Sequence, residues 1–261
     1  MWGAIIGDLA GSIYEFEQVK EISSVTVNNL IEENSFYSDD TILTIAILDA
    51  ILHNGDYETY LKKYAREYMD YKPSFSPYFK GVFSPGFTKW VNAQEKGFST
   101  GNGAMMRISP VGYLFNSKEK IIENIIGATS PSHNTEEAIK SATTIAMIIY
   151  LARNGLTKEE ILKELNLSFL YTPFTKFNTT CNATISNCLY ATFTSCCFDE
   201  ALRKVISFGG DTDTNACIVG SMAEALYGID ESLIEQASAK IPKEFVKKLT
   251  LGYQNNNLFS K

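Results

Sequence analysis

Two short acidic stretches hold the residue types best suited to chemistry. The first is Ser38-Asp39-Asp40-Thr41, and the second is Gly209-Gly210-Asp211-Thr212-Asp213-Thr214. Each stands directly before an apolar run. Taken singly, either could be a helix cap, because Ser and Asp side chains accept hydrogen bonds from the free N–H groups of a first turn. Two neighbouring carboxylates exceed what one cap needs. The spacing Asp211-x-Asp213-x-Asn215 fits the first positions of an EF-hand loop, but Ala216 stands where that loop needs glycine and Met222 where it needs glutamate. If the two stretches meet, four carboxylates share one site. At about 4 Å and an effective dielectric of about 20, each like-charge pair costs about 4 kcal/mol. Such a group stays ionised only with cations among it. Oxygen donors without His or Cys select Mg2+, Mn2+ or Ca2+, and two divalent ions would balance four aspartates.

Three further segments carry candidate residues. Gly3, Gly7 and Gly11 recur every four positions, a pattern for close helix packing, and Glu15 follows them. A lone glutamate is more often a surface carboxylate. Gly101-Asn102-Gly103-Ala104-Met105-Met106-Arg107 opens with two glycines that fit a turn whose N–H groups face a ligand. It is not a dinucleotide fingerprint, since Met106 fills the third glycine position. Arg107 could meet a phosphate or hold the fold through a carboxylate. His133, in Ser132-His133-Asn134, could contact substrate or belong to a cap. His53 reads as a solvated residue after a helix.

The elements that must position these residues are helical. Residues 41–52, 135–153, 181–195, 199–208, 214–227, 231–240 and 242–250 follow helical periodicity, and the wide apolar face of 135–153 makes that helix central. Asn134 with Glu137, and Thr157 with Glu160, have capping-box spacing. Gly155 reads as a C-terminal stop. Residues 22–31 alternate only weakly, as a strand or an extended loop. Residues 72–90, with three prolines and six aromatics, read as irregular structure or short helices. The tail after Gly252 reads as frayed. The fold class expected is all-α, in one domain over residues 1–261.

Bulk properties narrow the function classes. With 261 residues the chain buries a sizeable core without staples. A net charge of -7 argues against non-specific nucleic-acid binding. Five cysteines without paired spacing and two histidines argue against a Cys/His zinc site, and buried free thiols are expected. The N-terminal stretch lacks a basic region and is interrupted by Asp8, so no signal peptide is expected. The longest apolar run, 145–152, falls far below the ~18 residues of a membrane span. A cytoplasmic protein without a membrane partner is the expectation, and a monomer.

Together, in this order, the segments resemble the ADP-ribosylglycohydrolase family, which includes the dinitrogenase reductase-activating glycohydrolase. The resemblance rests on Gly-Ala-Ile-Ile-Gly-Asp at 3–8, Gly-Ser-Ile-Tyr-Glu at 11–15, Ser-Asp-Asp-Thr at 38–41, Gly-Asn-Gly-Ala-Met-Met-Arg at 101–107, Ser-His at 132–133 and Gly-Gly-Asp-Thr-Asp-Thr at 209–214. It implies a compact orthogonal bundle of helices with two Mg2+ (or Mn2+) ions in a cleft. By motif position Ser38, Asp39, Asp40, Asp211, Asp213 and Thr214 would be metal ligands. Glu15, with Asp39, Asp40 and Asp213, would serve catalysis. Gly101, Asn102 and Gly103 would lie along ADP-ribose, with His133 nearby. The implied reaction is hydrolysis of the bond between ADP-ribose and a modified protein or small molecule, with arginine or serine as the linked side chain and nucleic acid only as a modified substrate. Two departures stand out. Ser38 replaces a threonine common in the family and keeps the hydroxyl. Cys181-Asn182-Ala183-Thr184 only loosely follows a Cys-Gln-Gly-Thr segment, so a substrate contact there is in doubt. The alternatives are an inactive ADP-ribose-binding protein and a structural protein whose acidic stretches are caps.

Overall fold

The computed structural model describes residues 1–15, 25–73 and 81–256. Regular structure among them is helical, and extended pairing is confined to two isolated antiparallel bridges, Phe98 with His133 and Gly101 with Thr180. In chain order the helices are α1 (Trp2–Gly11), α2 (Asp39–Leu52), α3 (Tyr57–Glu67), α4 (Pro85–Val91), α5 (Gly103–Met106), α6 (Ser109–Leu114), α7 (Lys118–Thr129), α8 (Glu136–Arg153), α9 (Lys158–Glu164), α10 (Cys181–Phe193), α11 (Phe198–Ser207), α12 (Thr212–Tyr227), α13 (Glu231–Ser238) and α14 (Lys243–Asn256). The all-α expectation holds.

The pair that sets the architecture is α1 against α12. A Cβ on Gly3 would stand 2.1 Å from the carbonyl oxygen of Gly220, one on Gly7 2.0 Å from that of Ala216, and one on Gly11 2.2 Å from that of Thr212. The partners descend by four as the glycines rise by four, so the helices run antiparallel in backbone contact. The four-residue glycine spacing is the sequence cause of this close approach. Its consequence is positional: the end of α1, and Glu15 beyond it, lie beside the start of α12.

α2 is buried from Asp40 to Ile51 on nearly every side, as its near-continuous apolar sequence requires. α8 is central as expected, packing against α5, α6, α7, α9, α10 and α12. Its buried positions include Ala138, Ala142, Ile145 and Ile149. One continuous apolar cluster runs from Met1 to Leu249.

Some of the local expectations hold and others are corrected. The cap of α8 is Thr135, whose side chain accepts from the Ala138 N–H, while Glu137 accepts the Asn182 N–H at 2.9 Å and so caps α10 instead. The Thr157–Glu160 capping box is present, and Gly155 sits at φ +84 just past α8. α12 begins two residues earlier than its periodicity suggests, because Thr212 and Asp213 already belong to the first turn. α14 continues through Gly252 to Asn256, and Tyr253 Oη accepts the Trp2 N–H at 2.8 Å, which ties this end to α1. The rest of the tail lies outside the described residues. Residues 25–31 form a loop rather than a strand, with 22–24 outside the described residues. Within 72–90, α4 is a short helix capped by Ser84 with Pro85 at its first position, and 74–80 lie outside the described residues. α3 and α7 escape the sequence reading, although Asp56 and Ser117 cap them by the ordinary Asp/Ser rule. Of the free cysteines, Cys181, Cys188 and Cys217 are buried as expected, while Cys196 and Cys197 are exposed.

Candidate active site

The N-termini of α2 and α12 meet. Thr214 Oγ1 donates to Asp40 Oδ2 at 3.1 Å, joining the two acidic stretches directly. Asp8 of α1 lies beneath the start of α2. It accepts the Ser38 N–H at 2.9 Å, the Thr41 N–H at 3.1 Å and the Thr41 hydroxyl at 2.5 Å, and Ser38 Oγ stands 2.8 Å from it. A carboxylate from another helix thus satisfies first-turn donors that α2 cannot bond internally. Ser38 also accepts the Asp40 N–H as the local cap. At α12, the Asp211 side chain makes no cap bond; it accepts from Asn102 Nδ2 at 2.6 Å instead. Each acidic stretch does more than cap.

Two carboxylate groupings result. One oxygen each from Asp8, Asp40 and Asp213 lie within 4.8 Å of one another, and so do one each from Glu15, Asp211 and Asp213. Asp213 belongs to both, so the groupings adjoin. Asp40 Oδ1 is buried without a hydrogen-bond partner. Burial and mutual charge hold these groups well away from ordinary carboxylate behaviour. Burial, then Asp211, Asp39 and Asp8, push Glu15 up to about 8. Burial, then Asp8 and Asp211, push Asp39 up to about 8, partly offset by Arg107. Burial raises Asp8 to about 6 against the pull of its Ser38 and Thr41 bonds. Burial, then Asp8, Asp39 and Asp211, hold Asp40 well above the usual carboxylate range; burial, then Glu15, Asp211, Asp40 and Asp8, do the same for Asp213, and burial also raises Asp211. The donor set is all oxygen, the charges are crowded, and one buried oxygen is orphaned. That combination fits hard divalent cations and offers nothing to a soft one.

The groupings form the floor of a cleft of about 1220 Å³, lined there by Glu15, Ser38, Asp39, Asp211, Asp213 and Thr214. Asp40 lies behind this floor, fully buried, rather than on it. Gly101, Asn102, Gly103 and His133 line one side. Their segment is held from both flanks: Gly97 N–H donates to Pro131 O and Ser99 N–H to Ser132 O, while Asn102 N–H donates to Thr179 O and Thr100 O accepts the Cys181 N–H. Phe83, Phe87 and Trp90 give the cleft an aromatic wall, with the Phe87 ring 5.4 Å from Phe83 and 5.2 Å from Trp90. Exposed Phe98 and Phe177 also line the cleft.

All the site residues expected from sequence gather here. Asn102 is engaged with Asp211. Cys181 and Thr184 support the 101–102 turn from behind, through Gly101 O and Asn102 Nδ2, and neither lines the cleft. Arg107 is buried among the residues lining the cleft and donates to Ser132 Oγ at 2.7 Å and to Ala128 O at 3.3 Å. Asp8 and the aromatic wall were missed. Asp8 carried a signal, a carboxylate inside an otherwise apolar helix, and the wall carried its run of aromatics. His53 is the exposed C-cap of α2, as expected. No helix among the described residues is long and apolar enough to cross a membrane.

The family model described as ADP-ribosylglycohydrolase matches residues 1–258. An ADP-ribosylarginine hydrolase, Tri1 of Pseudomonas putida (strain GB-1), is 24% identical over 95% of this chain and 72% of its own. The ADP-ribosylhydrolase ARH3 of Homo sapiens is 24% identical over 62% of this chain, and the match spans about half of that relative, 52%. Among solved structures, an ADP-ribosylglycohydrolase-related protein complex superposes with a TM-score of 0.69 at 18% identity, covering 99% of this chain and 93% of that one, a likeness of fold. With the family model running almost the full length of the chain, this protein belongs to the ADP-ribosylglycohydrolase family and is a hydrolase of that kind.

Proposed function

We propose that the protein is a magnesium-dependent hydrolase that cleaves the glycosidic bond between ADP-ribose and a modified protein side chain, arginine or serine. The observation that carries this reading is the junction of the two helix N-termini on the floor of the cleft, with Asp213 common to both carboxylate groupings. Ser38, Asp39, Asp40, Asp211, Asp213 and Thr214 would hold two Mg2+ or Mn2+ ions. Divalent ions held there would neutralise the crowded carboxylates and would supply Lewis-acid polarisation of the sugar hydroxyls. Asp8 braces the ligand loop, and Asn102 orients Asp211. Glu15 is half-buried and lines the cleft, and it would take a proton from water attacking the anomeric carbon. The negative floor suits the oxocarbenium-like character of a ribosyl transition state. The 101–103 turn and His133 would flank the ADP-ribose, and the aromatic wall gives it an apolar surface. The continuous apolar cluster supports reading the chain as one domain.

The test is release of ADP-ribose from a panel of ADP-ribosylated arginine, serine and nucleic-acid substrates in magnesium. Turnover on an arginine or serine linkage is the expected result. Binding of ADP-ribose without release from any member of the panel would replace the hydrolase with a binding protein.

A further inference from the structure

Three residues in the wall of the cleft, His133 and two given no part in the proposed reaction, form a buried chain. Arg107, Ser132 and His133 are 1%, 3% and 5% exposed. Arg107 Nη2 lies 2.7 Å from Ser132 Oγ, Ser132 Oγ lies 2.8 Å from His133 Nδ1, and Arg107 Nη2 lies 3.5 Å from that same nitrogen. The other ring nitrogen faces the opposite way. A Cβ on Gly103 would stand 3.3 Å from His133 Nε2, and one on Gly101 3.6 Å, so Nε2 looks onto the glycine turn that lines the cleft.

The direction of each hydrogen bond follows from what each group can do. A guanidinium only donates. Ser132 Oγ therefore accepts from Arg107, and its own single proton needs an acceptor. His133 Nδ1 is the acceptor at hand. If Nδ1 carried the proton instead, the buried Ser132 hydroxyl would lose that acceptor, and an N–H would point toward a cation 3.5 Å away. An unpaired buried donor and a repulsive contact both disfavour that tautomer. The imidazole is left with Nδ1 accepting and Nε2 carrying the proton. Burial, then the Arg107 charge, also hold His133 well below the usual histidine range, which keeps the ring neutral.

We propose that Ser132 and Arg107 are positioning residues that lock His133 in the Nε2–H tautomer, so that it presents a neutral hydrogen-bond donor to an acceptor oxygen of the ligand where it passes the 101–103 turn. The ligand half of this statement rests on the proposed function; the tautomer half does not. Neutrality matters because a second cation is not what a site beside bound metal ions needs, while a fixed donor selects an acceptor at one place. The side chain of Asn102, between the two glycines, bonds Asp211. The donor therefore stands over the turn whose central side chain reaches the carboxylate floor.

The chain has two histidines, so protein labelled with 15N in the imidazole rings gives two sets of signals, and His133→Asn identifies the set that belongs to His133. In long-range 1H–15N spectra between pH 6 and 8, His133 should show an unprotonated Nδ1 and a protonated Nε2. Ser132→Ala should release the other tautomer, and Ser132→Thr, which keeps the hydroxyl, should restore the first. In magnesium, Ser132→Ala should weaken ADP-ribose binding by about fivefold, as loss of one well-placed hydrogen bond does, with Ser132→Thr close to wild type. A wild-type Nδ1–H tautomer, or a Ser132→Ala spectrum identical to wild type, overturns the proposal. If Ser132→Ala does not fold, the wild-type and Ser132→Thr spectra decide it. If wild-type protein fails to bind ADP-ribose, the proposed function and the ligand half fall together, while the tautomer is still read from the spectra.

Discussion

Asp8 shows what a single residue does in this site. Its carboxylate sits in the middle of an apolar helix, where an unpaired charge would be prohibitive. The Ser38 and Thr41 donors make the position tenable, and in return Asp8 fixes the loop that carries Asp39 and Asp40. In saturating magnesium, Asp8→Ala should lose about 2–3 kcal/mol in a urea unfolding experiment, because several buried donors lose a charged acceptor at once. A loss below about 0.5 kcal/mol would mean that the brace is dispensable. The sequence reading took Asp8 as a break in an apolar run and as the end of the 3–8 segment, with no role of its own. Its partners lie thirty positions on, and nothing local marks a tertiary cap. Asp39, Asp40, Asp211 and Asp213 were legible because carboxylates paired in a first turn exceed the needs of capping. The protein-side bonds of Asn102 and Arg107 were not, because either side chain can bond with equal ease to ligand or to protein.

At the scale of elements, the glycine spacing of α1 is the most consequential pattern in the chain. It lets α1 lie in backbone contact with α12 and so delivers Glu15 to Asp211 and Asp213. A methyl group at Gly7 would stand 2.0 Å from the Ala216 carbonyl oxygen, and backbone cannot yield that space cheaply. Gly7→Ala should therefore destabilise the fold by about 3 kcal/mol or more in chemical denaturation. Gly86→Ala, in the first turn of α4 with nothing within 4 Å of the added carbon, should be neutral or stabilising by up to about 1 kcal/mol. Similar losses in the two variants would contradict the packing argument. The close-packing pattern could be read from sequence; its partner helix could not, because small residues at 216 and 220 are common in any buried helix. The same limit explains α8, where periodicity located the helix but only the Glu137–Asn182 contact revealed that its acidic first turn caps α10.

For the molecule as a whole, the crowded carboxylates make folding, protonation and metal binding one equilibrium. Without ions, Asp8 is raised from 3.8 to about 6, Asp39 from 3.8 to about 8 and Glu15 from 4.5 to about 8. Between the unfolded and folded values, the folded chain binds more protons than the unfolded one. The sign is then fixed: stability is fullest below about pH 4 as far as these groups decide it, and falls as pH rises toward 8. Melting temperatures in EDTA should decline across that window, and magnesium should restore them most at the alkaline end, where ions no longer compete with protons. A melting temperature insensitive to magnesium at pH 8 would leave the carboxylates without their counter-ions. The all-α class and the sequence elements of the centre were legible before any fold was known; the cleft was not, because its aromatic wall comes from the two-turn helix α4 and the residue Phe83 before it, too short a stretch to show a period. The central claim, metal-dependent ADP-ribosyl hydrolysis at the junction of α2 and α12, is tested most directly by one titration. Metal-free protein is assayed for ADP-ribose release from its best substrate as magnesium is added. The account expects no release without ions, saturation at two equivalents under tight-binding conditions, and a loss of at least about 100-fold in Asp213→Ala at any magnesium concentration. Full release in excess EDTA, or an Asp213→Ala variant as active as wild type, would contradict it.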